Sequence, residues 1–126
     1  MAIAAARAAA DKKATDVIVL EVSELIVITD FFVIASGTTE RQVRTITDEV
    51  ERVLTKDGVK PLRREGQGGG RWVLLDFADV VVHVFTDEER SYYELERLWK
   101  DAPRIPWEPS APGRASSGGS SSGGAS

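Results

Sequence analysis

Four stretches of the chain carry residue types capable of chemistry: a glycine-rich run at 66–70, the turn Ser36-Gly37-Thr38, the acids Asp76 and Asp79, and His83, the single histidine. The glycine run reads Gly66-Gln67-Gly68-Gly69-Gly70. A phosphate-cradling loop needs Lys-Ser/Thr after its glycines and then a helix. Here Arg71-Trp72 follow and lead into a strand, so the run reads as a flexible connector. His83 would need a nucleophile and an acid beside it to act as a base. On a strand it shares a face with Val81 and Phe85, opposite Val80, Val82 and Val84. That setting suits a hydrogen-bonded structural histidine better than a catalytic one.

Ser36-Gly37-Thr38 lies between a predicted strand and a predicted helix, where helix N–H groups can bind an anion. Nucleotide-transferring enzymes with such a turn also place an Asp-x-Asp pair on a neighbouring strand to hold metal. The nearest acids here, Asp76 and Asp79, are three residues apart and straddle a turn, so strand alternation does not aim them at one ion. Capping of the helix by Thr38 or Thr39 is the simpler use of the turn. No catalytic, metal-binding or cofactor-binding set emerges.

Aromatic residues carry more information. Trp72, Tyr92, Tyr93 and Trp99 cluster in the second half of the chain with Arg71, Arg90 and Arg97. Trp, Tyr and Arg dominate interface hot spots, because they desolvate large areas while keeping a polar handle. Helical spacing turns Tyr92 and Trp99 toward a core, which leaves Trp72 and Tyr93 as the exposed candidates.

These residues need elements to hold them. Residues 3–13 are Ala-rich and read as a helix, and 17–22 (VIVLEV) as a strand. Residues 31–36 are nearly apolar throughout, as a central strand buried on both faces would be. A helix over 39–57 presents Val43, Ile46, Val50, Val53 and Leu54 as its apolar stripe and stops at Gly58. A short strand at 59–62 precedes the glycine run. Strands at 72–76 and 80–85 are joined by Phe77-Ala78-Asp79, short enough for a hairpin. Thr86 and Glu89 have capping-box spacing and open a last helix with the stripe Tyr92, Leu95, Leu98 and Trp99. The order α-β-β-α-β-β-β-α implies an α/β (α+β) fold, a mixed sheet of about five strands flanked by helices.

The 126 residues suggest one domain, and the absence of cysteine excludes disulfides and thiolate metal sites. Residues 1–109 are expected to form that domain. Residues 110–126 hold no large apolar side chain and are expected to be a disordered Gly/Ser-rich tail. No run approaches a membrane span, and the Ala-rich start, followed at once by Asp11-Lys12-Lys13, reads as a helix rather than a targeting peptide. A cytoplasmic setting is expected. With 16 basic and 20 acidic residues, net charge −4, primary nucleic-acid binding is disfavoured and a basic partner is favoured.

Residues from about 10 to 107 resemble the ribosomal silencing factor, or Iojap-related, family. The matching stretches are Leu20-Glu21-Val22, Thr29-Asp30, residues 33–38 (VIASGT) with Arg41, and Glu65-Gly66 before Trp72. The longest, residues 76–85 (DFADVVVHVF), continues through Glu89-Arg90 into residues 93–96 (YELE) and Leu98-Trp99. Two positions depart from the family pattern: Gln42 stands where His is usual, and Ala78 where Gly is usual. The resemblance implies a nucleotidyltransferase-like fold lacking the catalytic carboxylates, and a translational repressor rather than an enzyme. It implies binding to the large ribosomal subunit through that subunit's protein fourteen, which sterically blocks the small subunit. An interface of roughly 800 Å² per partner would suffice. It also implies a possible homodimer. By position, Trp72 would be an aromatic anchor, Asp76 and Asp79 acceptors for basic side chains, and His83, Arg90 and Tyr93 their neighbours on the sheet edge and following helix. The competing readings are a small nucleotidyltransferase-like enzyme using the Ser36-Gly37 turn, and a generic dimeric adaptor.

Overall fold

The computed structural model describes residues 1–67 and 70–108; the expected tail and the domain end at 109 lie outside the described residues. Five strands form one mixed sheet in the order β1-β2-β5-β4-β3. They are β1 (Thr15–Glu21), β2 (Phe31–Gly37), β3 (Arg63–Gln67), β4 (Trp72–Asp76) and β5 (Val80–Thr86). Central β2 and β5 run parallel, while β1–β2, β4–β5 and β3–β4 are antiparallel. The helices are α1 (Ala2–Asp11), α2 (Glu40–Lys56), α3 (Asp87–Tyr93) and α4 (Leu95–Leu98).

Helices α1 and α2 pack together over one sheet face. The small side chains of Ala2, Ala5, Ala6, Ala8 and Ala9 are buried, and alanine has both high helix propensity and no bulk to hold neighbours apart. In α2 the predicted stripe holds: Val43, Ile46, Val50 and Leu54 are buried and Val53 is half-buried. Below lie Val33, Ala35, Val82, Val84, Val73 and Leu75, every second residue of three strands. Strand β2 is buried along nearly its whole length, as its continuous apolar run requires. Gly58 closes α2 with φ +88, a left-handed geometry that glycine accepts without strain.

The opposite face is only partly covered. Leu20, Val22, Phe32, Ile34 and Phe85 form a second cluster with Leu95, Trp99 and Ala102 from the C-terminal segment. That segment then runs along β1. Glu21 donates its N–H to the Pro103 carbonyl (2.9 Å), Ile105 to Val19 (2.8 Å), and the Trp107 indole to Val17 (2.9 Å). Arg7 returns a bond to the Trp107 carbonyl (3.1 Å). The edge of β1 is thereby closed.

Two sequence expectations are corrected. The third strand lies at 63–67, not 59–62, so it takes in residues assigned above to the glycine connector. An edge strand of charged residues has no apolar alternation to betray it. Its placement comes from pairing with β4 and from Arg64, which bridges to Asp48 (2.8 Å) and Glu51 (2.9 Å) of α2. The last helix is also not continuous. It begins as expected, with the Thr86 hydroxyl accepting from the Glu89 N–H (3.3 Å), but Glu94 turns left-handed (φ 48) and splits it into α3 and α4. Tyr92, expected on the core side, lies on α3 ahead of the break and is 78% exposed.

Candidate functional site

Alternation along β4 puts Trp72, Leu74 and Asp76 on the partly covered face, with Val73 and Leu75 beneath the helices. Across the ladder to β5, Trp72 opposes Phe85, Leu74 opposes His83, and Asp76 opposes Val81. Toward the open edge, Glu65 opposes Leu74 and Arg63 opposes Asp76. Trp72, Leu74, Asp76 and Val81 are each half-buried, leaving an apolar face whose margin carries Glu65 and Asp76 with Arg63 paired to both (3.2 and 3.3 Å).

Aromatic rings tie this face into the core. Tyr92 meets Tyr93 edge-on (5.0 Å), and Tyr93 lies 4.9 Å from Trp72. Trp72 stacks on Phe85 (4.8 Å, 30°), and Phe32 bridges His83 (5.1 Å) and Trp99 (5.2 Å) in edge-to-face contacts. The Trp72 indole also donates to His83 Nδ1 (3.2 Å). Burial pushes the His83 imidazole down to about 4, so it is neutral at neutral pH. Its Nε2 is buried without a hydrogen-bond partner among the described residues.

The six residues singled out from sequence do not all meet. Trp72, Asp76 and His83 share the face, and Tyr93 packs on Trp72. Asp79 lies on the β4–β5 turn at the end of the face, its side chain exposed, while its carbonyl accepts the N–H groups of Asp30 (2.9 Å) and Phe31 (3.1 Å). The turn is capped by Asp76, whose Oδ1 accepts from the Ala78 N–H (2.9 Å) while Oδ2 pairs with Arg63 (3.3 Å). Three placements differ from expectation. Trp72 is half-buried rather than exposed. His83 is buried on β5, a central strand and not a sheet edge, so it supports Trp72 from below. Arg90 is buried away from the face, donating to Ser36 Oγ (3.1 Å) and the Thr15 carbonyl (3.4 Å). Leu74 and Val81 went unnoticed in the sequence, although their period-two spacing with Trp72 and His83 was the available signal.

The Ser36-Gly37-Thr38 turn is already filled. Gln42 Oε1 accepts from the Thr38 N–H (2.7 Å) and hydroxyl (3.0 Å), and its Nε2 donates to the carbonyls of Lys13 (3.0 Å) and Lys12 (3.3 Å). Thr39, not Thr38, caps α2 by accepting from the Gln42 N–H. An incoming phosphate would have to displace the Gln42 side chain from these donors.

A protein-family profile described as "Ribosomal silencing factor during starvation" matches residues 1–123. The chain belongs to the ribosomal silencing factor (Iojap) family. Members of this family are non-enzymatic, ribosome-binding regulators of translation. The Ribosomal silencing factor RsfS of Halalkalibacterium halodurans is 46% identical over 104 residues, covering 82% of this chain and 89% of that protein. Its namesake in Bacillus subtilis is 43% identical over 99 residues, 79% of this chain and 84% of that one. The crystal structure of a Chromobacterium violaceum protein superposes with a TM-score of 0.74 at 34% identity, covering 88% of this chain and 91% of the other. Ala78 occupies a turn with φ 73, a left-handed backbone that glycine adopts more readily, in line with the glycine that the resemblance leads one to expect there. Gln42, in place of the usual histidine, uses both ends of its amide to join the end of α1 to the start of α2.

Proposed function

We propose that this silencing factor represses translation by seating the open face of β4 and β5 on the large ribosomal subunit, through that subunit's protein fourteen, so that the small subunit cannot join. The observation that carries this reading is the half-buried set Trp72, Leu74 and Val81 on the sheet face that the helices cover only in part. An apolar centre holding a tryptophan, rimmed by acids, has the make-up of an interface hot spot. Asp79 offers an acceptor to Lys or Arg of a basic partner, and Asp76 and Glu65 do so where that cation joins or replaces Arg63, which both already hold (3.3 and 3.2 Å). Trp72 and Tyr93 are the contact anchors, His83 acts through the Trp72 indole it holds, and Arg90 lies outside the contact surface, held at Ser36 and Thr15. Repression is then steric, with no bond made or broken. The setting is cytoplasmic, where ribosomes assemble, and self-association as a homodimer is part of the same reading.

A sucrose-gradient experiment tests this. Added protein is expected to shift joined ribosomes toward free subunits and to cosediment with the large one. Trp72→Ala and Tyr93→Ala are expected to weaken cosedimentation roughly tenfold each, with thermal unfolding checked in parallel because Trp72 also packs on Phe85. Cosedimentation of both variants as tight as the parent's would overturn the site; turnover of a nucleotide substrate would overturn the function.

A further inference from the structure

The segment joining β1 to β2, residues 22–30, is firmly held. Val22 donates its N–H to the Asp30 carbonyl (2.8 Å) and accepts from Leu25 and Ile26 (2.9 Å each), while Asp30 donates to Asp79 (2.9 Å). Val22 is fully buried, Ile26 packs on the second cluster, and Thr29 is 4% exposed. Yet this anchored loop turns Val27 and Ile28 into water, 100% and 87% exposed, with Leu25 beside them at 47%. Connecting loops run over the surface and favour polar turn residues. Two adjacent β-branched side chains displayed by a rigid loop are a surface waiting to be covered. The Thr29 hydroxyl, buried without a partner among the described residues, is a second unmet demand in the same loop.

The surroundings specify what covers it. Residues 22–30 and the neighbouring turn 77–79 carry three acids, Glu24, Asp30 and Asp79, and no Lys or Arg. All three are exposed. The segment packed beside them at 99–104 adds Asp101 with Lys100 and Arg104, so the acids still outnumber the bases. Nucleic-acid phosphates and an anionic membrane would be repelled, and Val and Ile offer no flat ring for a base to stack on. A second copy meeting this loop across a two-fold axis would set the acids against themselves. We propose that Val27 and Ile28 are a second anchor that docks on a Lys/Arg-rich protein surface of the large ribosomal subunit, reached past Asp79 from the Trp72 face; this rests on the function proposed above.

The test is pelleting of the full chain with salt-washed large subunits. Val27→Ser/Ile28→Ser is expected to bind roughly tenfold more weakly than the parent with an unchanged melting temperature, since both side chains are solvent-exposed. Val27→Ser alone, at a fully exposed position, serves if the double variant melts early. Glu24→Lys/Asp30→Lys is expected to weaken binding and flatten its salt dependence. If the serine variants bind like the parent while Trp72→Ala does not, the loop anchor is wrong and the proposed function stands. Tighter binding of the lysine variant would mean the loop faces RNA, which also overturns the anchor. A parent chain that fails to pellet overturns both.

Discussion

Because an indole N–H can only donate, the Trp72 bond to His83 Nδ1 leaves the imidazole proton on Nε2. Burial holds the folded-state pKa near 4, below the ordinary 6.5 that the unfolded chain would show. The folded form therefore resists protonation. The contribution of neutral His83 is fully present above pH 6.5 and is lost as pH falls from 6.5 toward 4, where the unfolded chain binds more protons. Urea titrations between pH 7 and pH 4 are expected to show a loss of about 1–3 kcal/mol that His83→Gln lacks. Equal slopes for parent and variant would disprove it. At the β4–β5 turn, Ala78 pays a steric penalty at φ 73 that glycine avoids. Ala78→Gly is expected to raise the unfolding free energy by about 0.5–1 kcal/mol after the extra chain entropy is counted, read by the same titration. Strand alternation was enough to place His83 on the Val81 and Phe85 face. Its burial was not legible, because that depends on Phe32, Trp72 and Phe85 converging from three strands.

At the scale of elements, one side chain joins two helices. Gln42 bonds to Thr38, Lys12 and Lys13 fasten the end of α1 to the turn before α2. Gln42→Ala leaves these groups to water or to nothing and is expected to destabilise the fold by about 1–3 kcal/mol, seen as a lower melting temperature. An unchanged melt would show that the latch contributes nothing. The helices α1 and α2, the buried strand β2 and the β4–β5 hairpin were all legible, because each carries its own period or turn signal. Strand β3 was not, since Arg63, Arg64 and Glu65 read as loop until the ion pairs to Asp76, Asp48 and Glu51 are known. The split between α3 and α4 was hidden for a similar reason: nothing local announces that Glu94 adopts a left-handed backbone. The candidate site inherits both facts. Its aromatic members were visible as a composition, but where Tyr92 and Tyr93 point depends on how α3 packs on β5 and β2.

For the whole molecule, the sheet has one face under α1 and α2 and the other half open, so the proposed docking plate is the second face of the sheet that carries the closed core. With net charge −4 and acids gathered along that plate, association with a basic partner is expected to weaken as salt rises, because screening shortens to about 8 Å at physiological ionic strength. Pelleting across a salt series checks this, and a flat response would mean that charge plays no part in docking. The sequence made the acidic balance plain but not its distribution, which requires the register of β3 and β4. The strap of residues 103–107 along β1 has a separate consequence. A chain cut after Asp101 would lose the packing of Ala102, Ile105 and Trp107 and bare the backbone of Val17, Val19 and Glu21 as an unpaired ladder. Bared strands of this kind recruit one another. The shortened protein is expected to lengthen into filaments that bind amyloid dyes, while the intact chain stays dispersed.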